Sequence, residues 1–217
     1  MNLYEISDKY IEYLRGKLQQ STVYDSEVDT RRHNRKYVPL FRYKGVVYFA
    51  PLSHGKKKDY RYNAKKKDFE LKKDTQVCMY ISDKNKKSLG TIQLGNLIPV
   101  PAGEYFKYDH TKEQDKYYKE TVEEQIEYIE KNKNKIRDKA KTIVLQKMSG
   151  KRVPIKTIDK VPDLKRIHLV CERKMQFEKL QNSKSEMKKF MEKVASKRLL
   201  AKPQIKNCPN KKKQAKM

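Results

Sequence analysis

The chain has 217 residues, with 53 Lys and Arg against 27 Asp and Glu, which gives a formal net charge of +26 at pH 7. Such a charge favours a polyanionic partner, and nucleic acid is the first candidate because neutralised phosphates release counterions. No apolar run approaches the roughly 20 residues of a membrane span, and the N-terminus lacks a signal-peptide pattern. The three cysteines are too far apart for a disulfide framework or a metal pair. A reducing cytoplasm is therefore the expected location, with no membrane partner.

The first part of the chain predicts a strand, a helix and a long polar segment. Residues 2–6 are typical of a short strand. Ser7 then supplies a helix N-cap, Tyr10 belongs to an apolar set at helical spacing, and Gly16 predicts the end of that helix. A tyrosine on a short helix usually lies in the core, and a functional Tyr10 is the alternative. Residues 19–34 are polar and predict a loop. The residues around its end are basic: Arg31, Arg32, Arg35 and Lys36.

Residues 37–43 and 46–52 predict an antiparallel hairpin. Both are rich in β-branched and aromatic residues, and residues 44–45 between them form a tight-turn signal. Pro51 predicts the end of ladder pairing in the second strand. The residues before the first strand of a hairpin lie at the same end as those after its second strand. We therefore expect the basic cluster to lie beside the loop at residues 53–58.

This loop has the sequence Ser53, His54, Gly55 and then three lysines from Lys56 to Lys58. Lysine offers a mobile point charge, serine a small donor and acceptor, and histidine a group that titrates near neutral pH, so the set suits a phosphate. Because lysine is the commonest residue in the chain, a plain solvated loop is the alternative interpretation.

Residues 54–73 continue the basic character, with nine Lys and Arg against three Asp and Glu, a net +6, and aromatic residues between them. This pattern suits a groove that binds a nucleic-acid backbone and stacks its bases. A flexible loop whose rings pack back on the sheet explains it as well. The candidates for RNA contact are Arg31, Arg32, Arg35, Lys36, Lys57, Lys58, Tyr60, Arg61, Lys65 and Lys66.

Three further segments predict strands, at residues 77–81, at 89–94 and, after a kink, at 96–101. The total is about six strands with short connections. Two helices follow, separated by a break at residues 132–134, and should pack on the sheet. The expected fold class is therefore α+β, with an antiparallel sheet and helices around it.

Residues 151–217 differ in composition, with 21 Lys and Arg against six Asp and Glu, a net charge of +15. A helix from about Asp163 is predicted, and residues 203–217 should form a disordered basic tail because they cannot bury enough apolar surface. The expected organisation is a core at residues 1–150, a basic helical region at 151–202 and the tail.

The sequence contains no phosphate-binding glycine loop, no His-Glu-x-x-His motif, no CxxC pair and no acidic two-metal cluster. No metal or cofactor site is predicted. For an enzyme acting on nucleic acid, metal-independent RNA cleavage fits best, with the 2′-hydroxyl as nucleophile and the protein supplying a base, an acid and cations. The candidate catalytic residues are Tyr10, Ser53, His54 and Lys56, with a further cation from Arg35 or Lys36.

Three stretches, with the helix pair that follows them, resemble one known family over roughly residues 2–150. They are Leu3-Tyr4-x-Ile6-Ser7-x-x-Tyr10-Ile11-x-Tyr13-Leu14, Tyr48-Phe49-Ala50-Pro51-Leu52-Ser53 followed by Lys56, and Leu89-Gly90-x-Ile92 with Asn96-Leu97-Ile98-Pro99-Val100-Pro101. Together they resemble the ToxN/AbiQ toxins of type III toxin–antitoxin systems.

The resemblance implies a compact, strongly curved antiparallel sheet surrounded by helices, similar to the MazF and Kid toxins. It implies a metal-independent endoribonuclease that leaves a 2′,3′-cyclic phosphate on its substrate RNA. The implied antitoxin is a small repeated RNA that folds as a pseudoknot and occupies the basic groove. Toxin and RNA would form a closed hetero-oligomer, and such systems often act in phage defence by abortive infection.

The resemblance also assigns site positions. The family positions fall on Tyr10, Ser53 and Lys56, with the upstream basic position at Arg35 or Lys36. The family loop usually carries a second, catalytically important serine where this chain has His54. Either His54 takes over proton transfer, or Ser53 performs it, or the activity is altered.

A non-catalytic basic RNA-binding protein of ribosomal or chaperone type is the alternative function. It explains the charge and the tail, but it gives no reason for the Ser-His-Gly-Lys loop. A basic DNA-binding protein is a weaker candidate because no recognition helix is evident.

Overall fold

The structure is a computed structural model that describes residues 2–18, 34–149 and 163–200, with side chains up to residue 193. The helices are α1 (Asp8–Leu18), α2 (Lys116–Lys131), α3 (Lys133–Ser149) and α4 (Leu164–Leu200). The strands are β1 (Tyr4–Ile6), β2 (Tyr37–Tyr43), β3 (Val46–His54), β4 (Tyr60–Asn63), β5 (Asp68–Leu71), β6 (Met79–Ser82), β7 (Ser88–Ile92), β8 (Ile98–Val100) and β9 (Tyr105–Lys107).

Seven of these strands form one antiparallel sheet in the order β6-β7-β3-β2-β1-β9, with β8 paired to β3. The strands β4 and β5 form a separate two-stranded hairpin. The expected α+β class with an antiparallel sheet is confirmed. The described residues contain nine strands rather than about six, because β4, β5 and β9 have only three or four residues each and give a weak signal in the sequence.

The strand β3 pairs with three neighbours. Residues 46–51 pair with β2, residues 47–49 pair with β8, and residues 52–54 pair with β7. The prediction that Pro51 ends the pairing is wrong, because β3 changes partner there and continues to His54. Proline lacks an N–H but can still accept a hydrogen bond. The Pro51 carbonyl accepts one from the Gln93 N–H, with an N···O distance of 3.0 Å.

The basic residues before β2 lie beside the end of β3, as the hairpin predicted. The Lys36 carbonyl accepts a hydrogen bond from the Leu52 N–H at 2.9 Å. Arg35 is half-buried and Lys36 is buried. Arg31 and Arg32 lie outside the described residues.

The predicted helices are present, with changes at their ends. The break between α2 and α3 falls at Asn132, as expected, and α4 follows Asp163, whose carboxylate accepts a hydrogen bond from the Arg166 N–H at 3.1 Å. Gly16 does not end α1, which continues to the buried Leu18. An exposed helix position tolerates glycine at a cost of about 1 kcal/mol.

The first turns of α4 pack on the sheet through an aromatic contact. The His168 ring stacks on Tyr48 with centroids 6.0 Å apart, and its Nδ1 lies 3.0 Å from the Tyr48 hydroxyl. Burial lowers the pKa of His168, which favours the neutral imidazole. Ile167 and Cys171 of the same helix are also buried. These turns therefore contribute to the core around β3.

The chain divides into two compact units, Met1–Lys174 and Met175–Met217. In the second unit, large apolar side chains such as Phe177, Met187 and Phe190 are exposed. None of the helices in the described part of the chain is long and apolar enough to span a membrane.

A substitution at Gly90 tests how closely β3 and β7 approach each other. It has φ +141, and a Cβ at this position would lie 2.0 Å from the Ser53 carbonyl oxygen. We expect Gly90→Ala to lower the free energy of unfolding by about 2 kcal/mol or more, measured by urea denaturation. The matched control is Gly16→Ala, where a Cβ meets nothing within 4 Å and a small stabilisation of about 0.5–1 kcal/mol is expected. Equal stability of the two variants would contradict the close approach.

Candidate active site

The end of β3 places Ser53 and His54 on opposite faces of the sheet, because side chains alternate along a strand. The Ser53 Oγ lies 2.5 Å from the Thr91 Oγ1 on β7. His54 is exposed, and its ring makes an edge contact with Tyr118 of α2, with centroids 5.7 Å apart. The two candidates for proton transfer therefore have different surroundings. The Ser53 hydroxyl has a partner in the sheet, and the imidazole lies at the surface.

Lys36 is held in place by two contacts. Its Nζ lies 2.5 Å from the Glu5 Oε1 and 3.9 Å from the centre of the Tyr108 ring. The side chain is buried, with 6% exposed. A buried ammonium requires compensation, and here a carboxylate and an aromatic face provide it. Lys36 is thus a fixed cation rather than a mobile surface lysine.

The strand registers place Lys36 and Glu5 on the face that carries His54. Tyr4 pairs with Tyr37, and Tyr37 pairs with Pro51, so these three residues are neighbours across the sheet. Their sequence neighbours Glu5 and Lys36 point to the other face, which His54 shares by alternation along β3. The structure therefore brings together two of the predicted residues, His54 and Lys36, that are far apart in the sequence.

Two tyrosines beside this cluster are kept neutral. Burial, together with the nearby carboxylates of Glu113 and Glu5, raises the pKa of Tyr118 to about 12. Burial and the Glu113 carboxylate also raise the pKa of Tyr108, whose hydroxyl donates to the Glu113 Oε2 at 2.8 Å. At neutral pH this face offers a fixed ammonium, an exposed imidazole and neutral phenols. Such a set can stabilise negative charge and transfer a proton.

The loop that carries Lys56 is fixed by a buried carboxylate. Asp59 is 4% exposed, and its Oδ2 accepts hydrogen bonds from the Lys56 N–H at 2.7 Å and from the Ser88 hydroxyl at 2.9 Å. A Cβ on Gly55 would lie 2.2 Å from the Ser88 carbonyl oxygen, so only glycine fits there. The Lys56 side chain itself is exposed. The loop therefore presents its lysine from a defined backbone position.

Sequence reasoning missed Asp59. The signal that could have identified it is an aspartate three residues after Lys56 within a run of lysines, because an acidic side chain at this spacing can accept a backbone N–H and close a turn. Residues 57–59 form such a 3₁₀ turn, and the Asp59 N–H donates to the Lys56 carbonyl at 2.9 Å.

Tyr10 lies in the core, as a tyrosine on a short helix usually does. It has no exposed surface, and its hydroxyl donates to the Pro99 carbonyl of β8 at 2.6 Å. Burial raises its pKa well above the usual value. In this conformation Tyr10 supports the sheet from within and has no surface to contact an RNA.

The other predicted RNA contacts lie on the 3₁₀ turn and the β4–β5 hairpin. Arg61 donates to the Glu70 carboxylate at 2.8 Å, and Lys66 lies 3.4 Å from the same carboxylate. Tyr60 is half-buried, and its hydroxyl accepts from the Ser88 N–H at 2.6 Å. The exposed side chains in this set are Lys57, Lys58, Arg61, Lys65 and Lys66.

Among the described residues, no group of three or more His, Cys, Asp and Glu could hold a metal ion.

Comparison with known proteins identifies the family. Residues 2–172 match the family model for the ToxN toxin of type III toxin–antitoxin systems. The chain belongs to this family. It is 30% identical over 157 residues to the endoribonuclease ToxN of Pectobacterium atrosepticum, covering 69% of this chain and 85% of that protein. The match extends beyond residue 150 and includes the first turns of α4.

Solved structures share the ToxN/AbiQ fold. One comes from work on selective toxin inhibition by a non-coding RNA pseudoknot in type III systems. It superposes with a TM-score of 0.63 at 22% identity and covers 80% of this chain and 97% of that one. Another is AbiQ, a lactococcal anti-phage endoribonuclease of a type III system, with a TM-score of 0.61 at 22% identity, covering 81% of this chain and 98% of AbiQ.

The role of Asp59 in this ToxN-family chain is testable through stability. We expect Asp59→Ala to lower the free energy of unfolding by about 1–3 kcal/mol, because it leaves the Lys56 N–H and the Ser88 hydroxyl without their acceptor. Asp59→Asn keeps an acceptor oxygen and should cost less. Chemical denaturation measures the change, and amide exchange at Lys56 reports the local loss of protection. Glu123→Ala, on the exposed side of α2, is the control. Unchanged exchange at Lys56 in Asp59→Ala would exclude the anchoring role.

Proposed function

We propose that this chain is the toxin of a type III toxin–antitoxin system and acts as a metal-independent endoribonuclease. Membership of the ToxN family supports the activity, and the relative in Pectobacterium atrosepticum carries the name endoribonuclease ToxN. The observation that carries the proposal is the placement of Lys36 and His54 on one face at the end of β3, beside the fixed Lys56 loop. A binding protein has no need for an exposed imidazole beside buried, fixed charges.

The proposed reaction uses these residues as follows. The 2′-hydroxyl of the RNA attacks the adjacent phosphorus, and His54 accepts its proton as the O2′–P bond forms. The Lys56 ammonium, with the guanidinium of the half-buried Arg35, offsets the negative charge that develops on the phosphate oxygens. The buried Lys36, which is paired with Glu5, holds its part of the site in place. The P–O5′ bond then breaks, the 5′ oxygen takes up a proton from the surrounding water, and a 2′,3′-cyclic phosphate remains.

His54 is the better candidate for proton transfer than Ser53. The Ser53 hydroxyl lies 2.5 Å from the Thr91 hydroxyl, and Thr91 is itself buried. Histidine is also the side chain that most often serves as a general base. His54 thus takes the role that the family gives to the serine at this position. Tyr10 acts as a positioning residue through its hydrogen bond to β8.

The antitoxin in this proposal is a small repeated RNA that folds as a pseudoknot and assembles with the toxin in the cytoplasm, in a system that acts in phage defence. The structure related to inhibition by an RNA pseudoknot supports this partner class through its shared fold.

We also propose that the sheet has the strong curvature of MazF and Kid toxins and that the basic region after it adds RNA contacts. The alternative remains a binding protein without catalysis.

Lys56 tests the enzyme directly. Purified protein should cleave a mixed-sequence RNA in EDTA, and Lys56→Ala should lower kcat/KM by about 10²–10³-fold because a charge that stabilises the transition state is lost. Product ends should be 2′,3′-cyclic phosphates, identified by mass spectrometry. Lys141→Ala, an exposed lysine on α3, removes the same charge elsewhere and should cleave normally. Tight binding of intact RNA by the wild-type protein would instead establish the binding-protein alternative.

His54 and Ser53 are distinguished by the pH profile. We expect His54→Ala to lower kcat/KM by about 10²–10⁴-fold. The fall in rate on the acidic side, where a protonated imidazole cannot accept a proton, should disappear in this variant. Ser53→Ala should keep the acidic fall and lose little activity. The reverse pattern, with activity lost in Ser53→Ala and an unchanged profile in His54→Ala, would assign proton transfer to Ser53.

A further inference from the structure

Two aromatic side chains stand exposed on the β4–β5 hairpin. Tyr62 is 57% exposed and Phe69 is 66% exposed. They face each other directly across the two strands, with ring centroids 5.4 Å apart and planes at 64°. Single exposed apolar residues are common on protein surfaces, but contiguous exposed apolar groups rimmed by polar residues mark interaction sites.

The hairpin holds these rings in a fixed orientation. The opposite face is polar, because side chains alternate along each strand. There the Glu70 carboxylate accepts hydrogen bonds from Arg61 at 2.8 Å and from Asn63 at 2.9 Å. This polar network joins β4 to β5 from behind, and it leaves Tyr62 and Phe69 on the other face.

The base of the hairpin is attached to the loop of the proposed active site. A two-stranded hairpin is marginally stable alone. Here the Tyr60 hydroxyl accepts from the Ser88 N–H at 2.6 Å, and the Lys72 N–H donates to the Asp59 carbonyl at 2.9 Å. Asp59 is also the residue that fixes Lys56. The two rings therefore extend from the Lys56 loop on an anchored arm.

Lysines lie at both ends of this aromatic pair. At the base are Lys57 and Lys58, and at the tip are residues 65–67, all exposed lysines. The four residues of β4 span about 13 Å at roughly 3.3 Å per residue, so the cations are spaced along a path rather than gathered at a point. This arrangement matches a strand of linked phosphates whose bases can reach a ring. Paired bases present only their edges, so the match is to unpaired nucleotides.

We propose that Tyr62 and Phe69 form a base-stacking site for unpaired nucleotides of RNA, adjacent to the Lys56 loop. The proposal rests on the proposed function in taking RNA as the ligand. The bound nucleotides belong to the substrate or to a regulatory RNA, since both present the same chemistry of base faces and phosphates. The stacking site itself performs no chemistry and contributes binding.

The absence of tryptophan from the sequence provides a direct probe of this site. Phe69→Trp introduces the single tryptophan, and Phe190→Trp places it instead at an exposed position of α4, where Phe190 is 62% exposed. The ligand is a mixed-sequence 2′-O-methyl RNA, which cannot be cleaved because its 2′ nucleophile is blocked. The comparison ligands are the same strand annealed to its complement and heparin, which carries charge without bases.

We expect the single strand to quench the tryptophan at position 69, and to do so far more than the duplex or heparin. Adding Tyr62→Ala should weaken the affinity by about 10-fold, whereas Tyr62→Phe should retain it, because the stacking surface of the ring is kept. Equal quenching by duplex or heparin, equal quenching at position 190, or no quenching at position 69 would overturn the proposal. If the hairpin binds a protein instead of RNA, the fluorescence of the tryptophan at position 69 should not change when RNA is added.

Cleavage kinetics assign the source of the RNA. If the site binds substrate, Tyr62→Ala with Phe69→Ala should raise KM by about 10-fold or more with little change in kcat, and Phe190→Ala should change neither. Loss of single-strand binding without a change in KM would assign the site to a regulatory RNA. Thermal melting of each variant shows that it is folded. If the single strand quenches the Phe69→Trp protein while the wild-type protein does not cleave RNA, the proposed enzyme is refuted and the stacking site stands.

Discussion

The structure depends on the way β3 divides its hydrogen bonds between neighbours. Its first residues pair with β2 and β8 inside the sheet, and its last three residues pair with β7. The end of the strand is therefore held from both sides, by the Lys36 carbonyl on Leu52 and by the close approach of Gly90 to Ser53. A strand end that is paired on both sides positions its side chains more precisely than a loop can, because its backbone has few alternative conformations. The backbone of His54 and of the turn that follows is therefore also held in place.

Charge is arranged around that strand end in a way the overall composition does not reveal. The chain carries a formal net charge of +26, yet two groups near the site are buried and individually compensated. The Lys36 ammonium lies against Glu5 and Tyr108, and the Asp59 carboxylate accepts from Lys56 and Ser88. Breaking either set would leave a buried charge without its partner, which costs more than losing a surface ion pair. In the proposed function, the exposed lysines attract RNA in general, and these buried groups fix the shape of the surface that it meets.

Sequence patterns predicted the parts of this fold that rest on strong local signals. The β2–β3 hairpin follows from two aromatic and β-branched runs around a tight turn, and its geometry correctly placed Lys36 beside the end of β3. Pattern reasoning failed where tertiary contacts decide. Pro51 continues in the ladder because β7 becomes the new partner of β3, and β7 is distant in the sequence. The β4–β5 hairpin was not predicted from the sequence, because its strands have only four residues each and are flanked by lysines.

The same distinction applies to the candidate site. The residue types Ser53, His54 and Lys56 were evident from the sequence, but their orientations were not, because alternation depends on how far β3 remains a strand. Had Pro51 ended the strand, Ser53 and His54 would both lie in a loop, and their side chains would not be held on opposite faces. Since β3 continues to His54, the two side chains are directed to opposite faces, and only His54 shares a face with Lys36. In the proposed reaction, the extension of one strand past a proline thus decides which of two neighbouring residues is assigned to proton transfer.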